Sequence, residues 1–293
     1  MSFFLNVLVG GALAGVMYAL VAIGFVLIYR ASGVFNFAQG TMILFAALTF
    51  ANLVEMGAPM LLAFLVTFAL LIGSAFLTER LVLRPLANRS VITLFLATLG
   101  LSYIFEGVAQ IAWGTQVHSL DIGLPDEPVD LFGLSISSFD LAATAIAALL
   151  VVGLALLTGR TGLGLALRAV AADPLAALSI GIRQERVTVI AWSLAGFVAL
   201  VAGLLWGARS GVQFSLALIV LKALPVLIIG GFTSVGGVIV AGIVVGAGEK
   251  LAEIFLGPVI GSGIENWFAY VLALLFLMIR PTGLFGQRDL ARI

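Results

Sequence analysis

Long apolar runs alternate with short polar loops along the whole chain. Crossing the hydrocarbon core of a bilayer takes roughly 20 mostly apolar residues in a helix. In lipid, a run of that length forms a helix because every backbone polar group must be satisfied internally. Counting the runs strictly gives about nine crossings with the N-terminus outside, or about eight if one interrupted run is re-entrant. The predicted fold class is an all-α polytopic membrane protein, with one transmembrane domain over residues 1–293 and interrupted or re-entrant segments. The predicted spans are Asn6–Tyr29, a run from Thr41 to about Leu53, Met60–Leu77, Val91–Ala112, Leu141–Thr158, Val187–Gly207, the short Leu216–Gly231, Val238–Leu256 and Asn266–Ile279.

The charges on the loops predict which side of the membrane each loop faces. Arg80, Arg84 and Arg89 lie in one loop, and four arginines lie in the loop 159–186. Loops rich in Lys and Arg stay in the cytoplasm, so both are predicted to be cytoplasmic. By the same rule, Arg288 and Arg292 predict a cytoplasmic C-terminus. The loop 113–138 has acidic residues and neither Lys nor Arg, which predicts an external loop.

The basic loop 159–186 contains the pattern of a short helix. Asp173 followed by Pro174 is typical of an N-cap and a first helical residue, and Gly181 is a plausible stop. The predicted helix, Pro174–Ile180, presents Leu175 and Leu178 about one turn apart. Such a helix is either a docking element for another protein or a segment lying in the lipid interface, and composition alone does not separate the two.

Two apolar runs, one in each half of the chain, are interrupted by polar residues beside glycine. The early motif holds Asn36, Gln39 and Gly40, and the late one holds Thr233 and Ser234. Paired interrupted helices mark the midplane site of many transporters, so these residues are predicted to line a translocation path. For the two amides the alternative is hydrogen bonding between helices, worth roughly 1 kcal/mol.

Composition excludes most other classes of protein. The chain is 62% hydrophobic and 10% charged, with a mean hydropathy of +1.26, whereas soluble proteins carry about a quarter charged residues. It has no cysteine and a single histidine, His118, so neither a thiol nucleophile nor a multi-histidine metal site is available. No catalytic set or phosphate-binding loop can be assembled. We therefore predict a protein that is not an enzyme, binds no metal or cofactor and leaves any ATP hydrolysis to another chain.

A few ionisable residues fall inside apolar runs, where they are functional candidates by default. They are Glu106, Lys222, Glu249, Lys250 and Glu253. Because they lie towards helix ends, the preferred interpretation is that these side chains snorkel to water. The lack of a mid-span relay of carboxylates or histidines argues against an ion-driven mechanism.

Six motifs follow one another along the chain: the first span GALAGVMYALVAIGFVLIYR, VFNFAQGT, RLVLRPL, LRAVAADPLAALSIGI, GGFTSVGGVIVAG and RPTGLFG. In this order they resemble one family, the membrane permease subunits of branched-chain amino-acid-type ABC importers, specifically their shorter, LivH-like member. The match runs over nearly the whole length, with three departures, Gln39, Thr41 and Thr233, that leave the substrate open.

The resemblance implies that Arg168–Ile182 fits a groove on an ATPase subunit. The expected coupling residues are Arg168, Ala172, Asp173, Pro174, Leu175, Leu178 and Gly181. It also implies a second permease (LivM-like or identical), two ABC ATPase subunits and a periplasmic solute-binding protein, all serving import across a bacterial inner membrane without a nucleic-acid partner. Branched-chain or related amino acids, amides, urea and small organic acids all remain open as solutes. The alternative function is a self-contained secondary transporter or channel.

Overall fold

The structure, a computed structural model, describes residues 2–86, 89–131, 133–280 and 283–285. Arg288 and Arg292, on which the predicted side of the C-terminus rests, lie outside the described residues, as does part of the RPTGLFG motif. Helices dominate the described chain, in agreement with the predicted fold class. They are α1 Ser2–Ser32, α2 Gln39–Glu55, α3 Met60–Thr78, α4 Arg84–Leu86, α5 Val91–Trp113, α6 Ser138–Arg160, α7 Gly162–Ala172, α8 Pro174–Ser179, α9 Gln184–Ser210, α10 Ile219–Gly230, α11 Val235–Ile260 and α12 Phe268–Ile279.

Three short helical turns and one hairpin complete the described elements. A π-helical turn, Glu79–Leu83, joins α3 to α4, and 3₁₀ turns precede α10 (Phe214–Leu218) and α12 (Ile264–Asn266). Strands β1 (Pro128–Leu131) and β2 (Leu134–Ser137) pair antiparallel within the acidic loop. This hairpin was not predicted, although the alternation of Leu and Ile with Ser in β2 is a strand pattern.

The polytopic helical fold is confirmed, but the count of eight or nine spans is not. Among the described residues, five helices are long and apolar enough to cross a membrane, and a sixth crossing is added if a bent pair counts as one. The helix α2 has 17 residues and α12 has 12, both short of the roughly 20 needed. The bent pair is Phe214–Gly230 and Val235–Ile260, which meet at 119°. The predicted break at Gly230–Gly237 is therefore a sharp turn.

The chain folds into two compact units. Unit 1 comprises the chain up to Val26, Gly123–Ala155 and the chain from Leu221 onward; unit 2 comprises Leu27–Ile122 and Leu156–Val220.

Unit 2 is organised around α2, which packs against α3, α5 and α9. Every residue of α2 from Gln39 to Ala51 except Phe45 is buried. Glycine brings α9 close to α2: a Cβ placed at Gly203 would lie 2.7 Å from the carbonyl oxygen of Ile43. Small residues of this kind let helices approach closely in lipid, where no hydrophobic force drives them together.

Unit 1 contains a second close approach, between α1 and α11. A Cβ at Gly15 would lie 2.1 Å from the carbonyl oxygen of Gly242, and one at Gly246 would lie 2.4 Å from that of Gly11. The two backbones therefore touch without intervening side chains, and Gly11 and Gly15 of the first span serve this contact.

Candidate coupling helix and interrupted segments

The helix α8 has the boundaries that its sequence predicts, to within one residue. The Asp173 side chain accepts hydrogen bonds from the backbone N–H groups of Leu175 (2.9 Å) and Ala176 (3.1 Å), and Pro174 takes the first turn. The helix ends at Ser179, and Gly181 follows with φ +87°. The predicted N-cap, first residue and glycine stop are all confirmed.

One face of α8 is anchored and the other is exposed. Ala177 is buried in an apolar cluster with Leu167 and Val170 of α7 and with residues of α1 and α9. Leu175 and Leu178 are 79% and 57% exposed, and Ile180 after the helix is exposed as well. The helix is thus held in place by its small inner residue while its large apolar side chains face outward.

The other predicted coupling residues surround α8. Ala172 is the exposed last residue of α7, whose N-cap is Thr161. Arg168 is exposed, and its Nη1 donates to the carbonyl oxygen of Thr158 at 2.7 Å, which fixes α7 to the end of α6. The structure therefore brings all seven predicted residues together on one continuous segment.

A groove of about 250 Å³ runs beside α8 within unit 2. It has apolar walls with charged groups among them. Its lining includes Val34, Leu83, Leu94, Leu175 and Leu178, with Glu79, Arg84, Arg183 and Glu185.

The charged groups of this groove form one ion-pair network. Arg84 contacts Glu79 through two hydrogen bonds, Nε to Oε1 at 3.1 Å and Nη2 to Oε2 at 3.2 Å. Its Nη2 also lies 3.2 Å from Oε2 of Glu185, which pairs with Arg183 at 3.0 Å. Sequence reasoning placed these arginines on two cytoplasmic loops but did not predict that an ion pair connects the loops.

The early interrupted segment is buried in unit 2. The chain leaves α1 at Gly33, with φ +67°, and becomes helical again at Gln39. The Asn36 Oδ1 accepts from the Ala38 N–H at 3.0 Å, and Gln39 Nε2 donates to the Ala195 carbonyl at 3.4 Å. Both side chains are fully buried. In this conformation Gln39 bonds between helices, as in the alternative interpretation, whereas Asn36 bonds within its own segment. The place of both amides on a path stays a prediction.

Two further features hold this segment together. Gly40 is required by close packing, because a Cβ there would lie 2.3 Å from the Ala217 carbonyl oxygen. The Thr98 hydroxyl of α5 lies 3.1 Å from the Phe35 carbonyl oxygen and 3.0 Å from that of Phe95, and it accepts from the Phe37 N–H at 3.4 Å. Sequence reasoning missed Thr98, because Phe35 and Phe37 lie more than 60 residues away along the chain.

The late interrupted segment belongs to unit 1 and has a different construction. Ser234 caps α11 by accepting from the Gly237 N–H at 3.0 Å, and Thr233 is half-buried next to it. A Cβ on Gly237 would lie 2.0 Å from the Gly230 carbonyl oxygen, so the two sides of the turn touch. The Ser234 hydroxyl is therefore engaged in a helix cap in this conformation.

The ionisable residues of α10 and α11 correct one prediction. Glu249 does not snorkel: its side chain is 3% exposed, and its Oε1 lies 3.5 Å from Nζ of Lys222. Lys222 also donates to the carbonyl of Glu265. These partners lie 27 and 43 residues from Lys222 along the chain, so no local pattern could reveal them. Lys250 is exposed enough to reach water and pairs with the Glu265 carboxylate at 3.1 Å.

Comparison with known proteins gives a match over almost the whole chain. Residues 7–280 match the family described as the permease component of the branched-chain amino acid transport system. The chain belongs to this family. Among its relatives, the branched-chain amino acid permease BraD of Pseudomonas aeruginosa is 27% identical, over 99% of this chain and 98% of its own length. The LivH permease of Escherichia coli is 26% identical over the same shares. A probable LivH of Methanocaldococcus jannaschii is 30% identical over 96% of this chain and 92% of its own length.

Among solved structures, the PsaBC complex of Streptococcus pneumoniae with a Fab matches with 17% identity and a TM-score of 0.46. It covers 95% of this chain and 91% of that chain.

Family membership confirms the function predicted from the motifs. The chain is a multi-pass inner-membrane permease subunit of an ABC-type amino-acid transport system and is not an enzyme. The alternative of a self-contained secondary transporter or channel is set aside on the same finding.

Proposed function

We propose that this permease forms half of an import pathway and receives the motion of an ATPase through α8. The observation that carries the proposal is the construction of that helix. The Asp173 cap fixes the start of the helix, and Ala177 packs its inner face against the rest of unit 2. Leu175 and Leu178 are exposed on the outward face, where a partner can contact them. The exposed leucines offer apolar surface that docking into a groove on a partner would remove from water, which is favourable.

The proposed orientation places α8 and both basic loops in the cytoplasm, with the loop 113–138 outside. The positive-inside rule supports this assignment. The contact between Arg84 and Glu185 agrees with it, because the contact joins the two basic loops directly. We place the C-terminus in the cytoplasm on the strength of Arg280 and the arginines that follow it.

The proposed assembly contains two permeases, identical or LivH-like and LivM-like, with two ABC ATPase subunits and a periplasmic solute-binding protein. This permease contributes residues 1–293 as one transmembrane domain, and each of the two permeases supplies half of the pathway. The solute class we propose is the branched-chain or a related amino acid, as named for the relatives. Uptake of labelled leucine by the assembled complex with its binding protein tests this class against amides, urea and small organic acids.

The docking role of α8 is tested by Leu178→Glu in the assembled transporter, reconstituted in liposomes. We expect the variant to insert normally but to lose ATPase subunits on purification and to lose ATP-driven uptake, because a carboxylate replaces an apolar anchor. A matched control is Leu165→Glu on α7, a leucine that is exposed to a similar degree. Normal uptake with full ATP coupling in Leu178→Glu would remove α8 from the docking surface.

The translocation path is tested with single cysteines, since the natural chain has none. We propose that Asn36, Gln39, Gly40, Thr233 and Ser234 meet the pathway when it opens. Cysteine at position 36 or 39 is expected to react with a small aqueous thiol reagent in at least one nucleotide state. Protection at both positions in every state would leave the two amides with an internal hydrogen-bonding role alone.

A further inference from the structure

The π-helical turn at the end of α3 has a specific geometric effect on two charged residues. In an α-helix, residues five apart differ by about 140° in direction and cannot meet. Across Glu79–Leu83 the backbone N–H of Arg84 instead bonds the carbonyl of Glu79, five residues earlier. This wider turn brings the two side chains onto one face, where they form two hydrogen bonds. Single π turns are rare and occur frequently at functional sites.

The carboxylate in this pair is buried and depends on the arginine. The Glu79 side chain is 4% exposed, and both of its oxygens accept from Arg84. Because a buried charge is costly unless it is paired, the position of Arg84 is set by Glu79. The guanidinium is half-exposed, so it covers the carboxylate from the groove side.

From that fixed position, Arg84 reaches the segment that follows α8. Its Nη2 contacts Glu185, in the first turn of α9, five residues after Ile180. One guanidinium thus joins the end of α3 to the start of α9. Arginine is suited to this task because its planar fork donates in several fixed directions, whereas lysine is a point charge.

We propose that Arg84 is a positioning residue that transmits the motion of α8 to α3. The inference rests on the proposed docking role of α8. The helices α3 and α9 also pack against each other along their length, but apolar packing permits small sliding movements between helices. The Glu79–Arg84–Glu185 bridge fixes their register at the cytoplasmic end, so that α3 follows when the ATPase displaces α8 and α9.

The test compares Arg84→Gln with Arg183→Gln in the reconstituted transporter. Both variants remove one positive charge from the same network, but Arg183 pairs with Glu185 only two residues away, and in the part of the chain that the structure describes this pair joins no second loop. ATPase subunits retained, ATP hydrolysis and solute uptake are measured for each. We expect Arg84→Gln to retain its ATPase subunits and to hydrolyse ATP, while the amount of solute moved per ATP falls about fivefold or more. A fivefold change is about the smallest effect that one coupled site ordinarily exerts on another. We expect Arg183→Gln to match the natural protein.

A second variant covers the case in which Arg84→Gln does not fold. Glu79→Gln combined with Arg84→Gln removes the stranded carboxylate as well as the bridge, and it is expected to show the same loss of solute per ATP. Arg84→Lys keeps the charge without the double contact, and its solute moved per ATP is expected to lie between that of Arg84→Gln and that of the natural protein.

Two results would overturn the inference. One is a normal ratio of solute to ATP in the folded Arg84 variants, and the other is an equal loss in Arg183→Gln. These outcomes differ from a failure of the docking proposal, which shows as normal coupling in Leu178→Glu. If Leu178→Glu uncouples and the Arg84 variants do not, the α8 assignment stands and the bridge alone is rejected.

Discussion

Replacement of Lys222 by methionine is expected to be among the most destabilising single changes in unit 1. The methionine preserves most of the side-chain length but leaves Glu249 without the ammonium group that lies 3.5 Å away. Two unit charges at that distance attract by about 5 kcal/mol at an effective dielectric constant of 20. The Lys222 side chain is 19% exposed and that of Glu249 is 3% exposed, so solvent screens the pair weakly. Removing one partner of such a pair costs about 3–5 kcal/mol, because the remaining charge is buried and unpaired.

Replacement of the other partner, Glu249→Gln, is expected to lower the free energy of unfolding by less. In Glu249→Gln, Lys222 retains its bond to the Glu265 carbonyl and has more contact with solvent than Glu249 has. The double variant Lys222→Met with Glu249→Gln removes both charges, and its stability is expected to be close to that of the natural protein, as for other buried pairs replaced by neutral residues.

The assay is thermal unfolding of the purified permease in detergent, followed by tryptophan fluorescence, for all four members of this cycle. We expect Lys222→Met to unfold at the lowest temperature, Glu249→Gln at an intermediate one and the double variant near the natural protein. A Lys222→Met protein as stable as the natural one would show that the Glu249 carboxyl group is satisfied without Lys222, and the ion-pair argument would then be wrong.

Three further predictions concern the helices. Gly15→Leu should separate α1 from α11, because a Cβ there would lie 2.1 Å from the Gly242 carbonyl oxygen. The measurement is the loss of folded protein in detergent extracts, and the control is Gly10→Leu, where space is open. Thr98→Val should destabilise the segment after α1 by about 1–3 kcal/mol, because the Phe35 carbonyl and the Phe37 amide lose their partner. Thr98→Ser should retain the bonds. The measurement is amide hydrogen exchange in that segment, which should be faster in Thr98→Val. Asp173→Ala should destabilise α8 by about 1 kcal/mol and Asp173→Asn by less, seen as faster exchange at Ala176; equal exchange in both variants would contradict the capping role.

The parts of this protein that sequence reasoning predicted are those with local causes. Asp173, Pro174 and Gly181 define a helix within nine residues of chain, so its boundaries follow from capping and turn chemistry alone. The break before Gln39 follows in the same way from glycine beside polar residues in an apolar run. Membrane character follows from composition.

The features that escaped prediction depend on contacts between distant residues or on backbone geometry. Lys222 and Glu249 each resemble a charge near a helix end, and the interpretation as snorkelling side chains was wrong for Glu249 because an ion pair keeps it buried. The RLVLRPL motif showed a basic loop but not the π turn that joins Arg84 to Glu79. Lengths of apolar runs also gave a number of spans that the helix lengths do not confirm, because α2 and α12 are shorter than a typical crossing.

The Thr98 hydroxyl has a consequence for the irregular backbone beside it. An interruption in an apolar helix leaves backbone polar groups that protein or water must satisfy. Where the chain departs from helical form before Gln39, the Thr98 hydroxyl accepts from the Phe37 amide and lies 3.1 Å from the Phe35 carbonyl oxygen. The neighbouring helix thus supplies the partner of the Phe37 amide, and no water molecule is needed there.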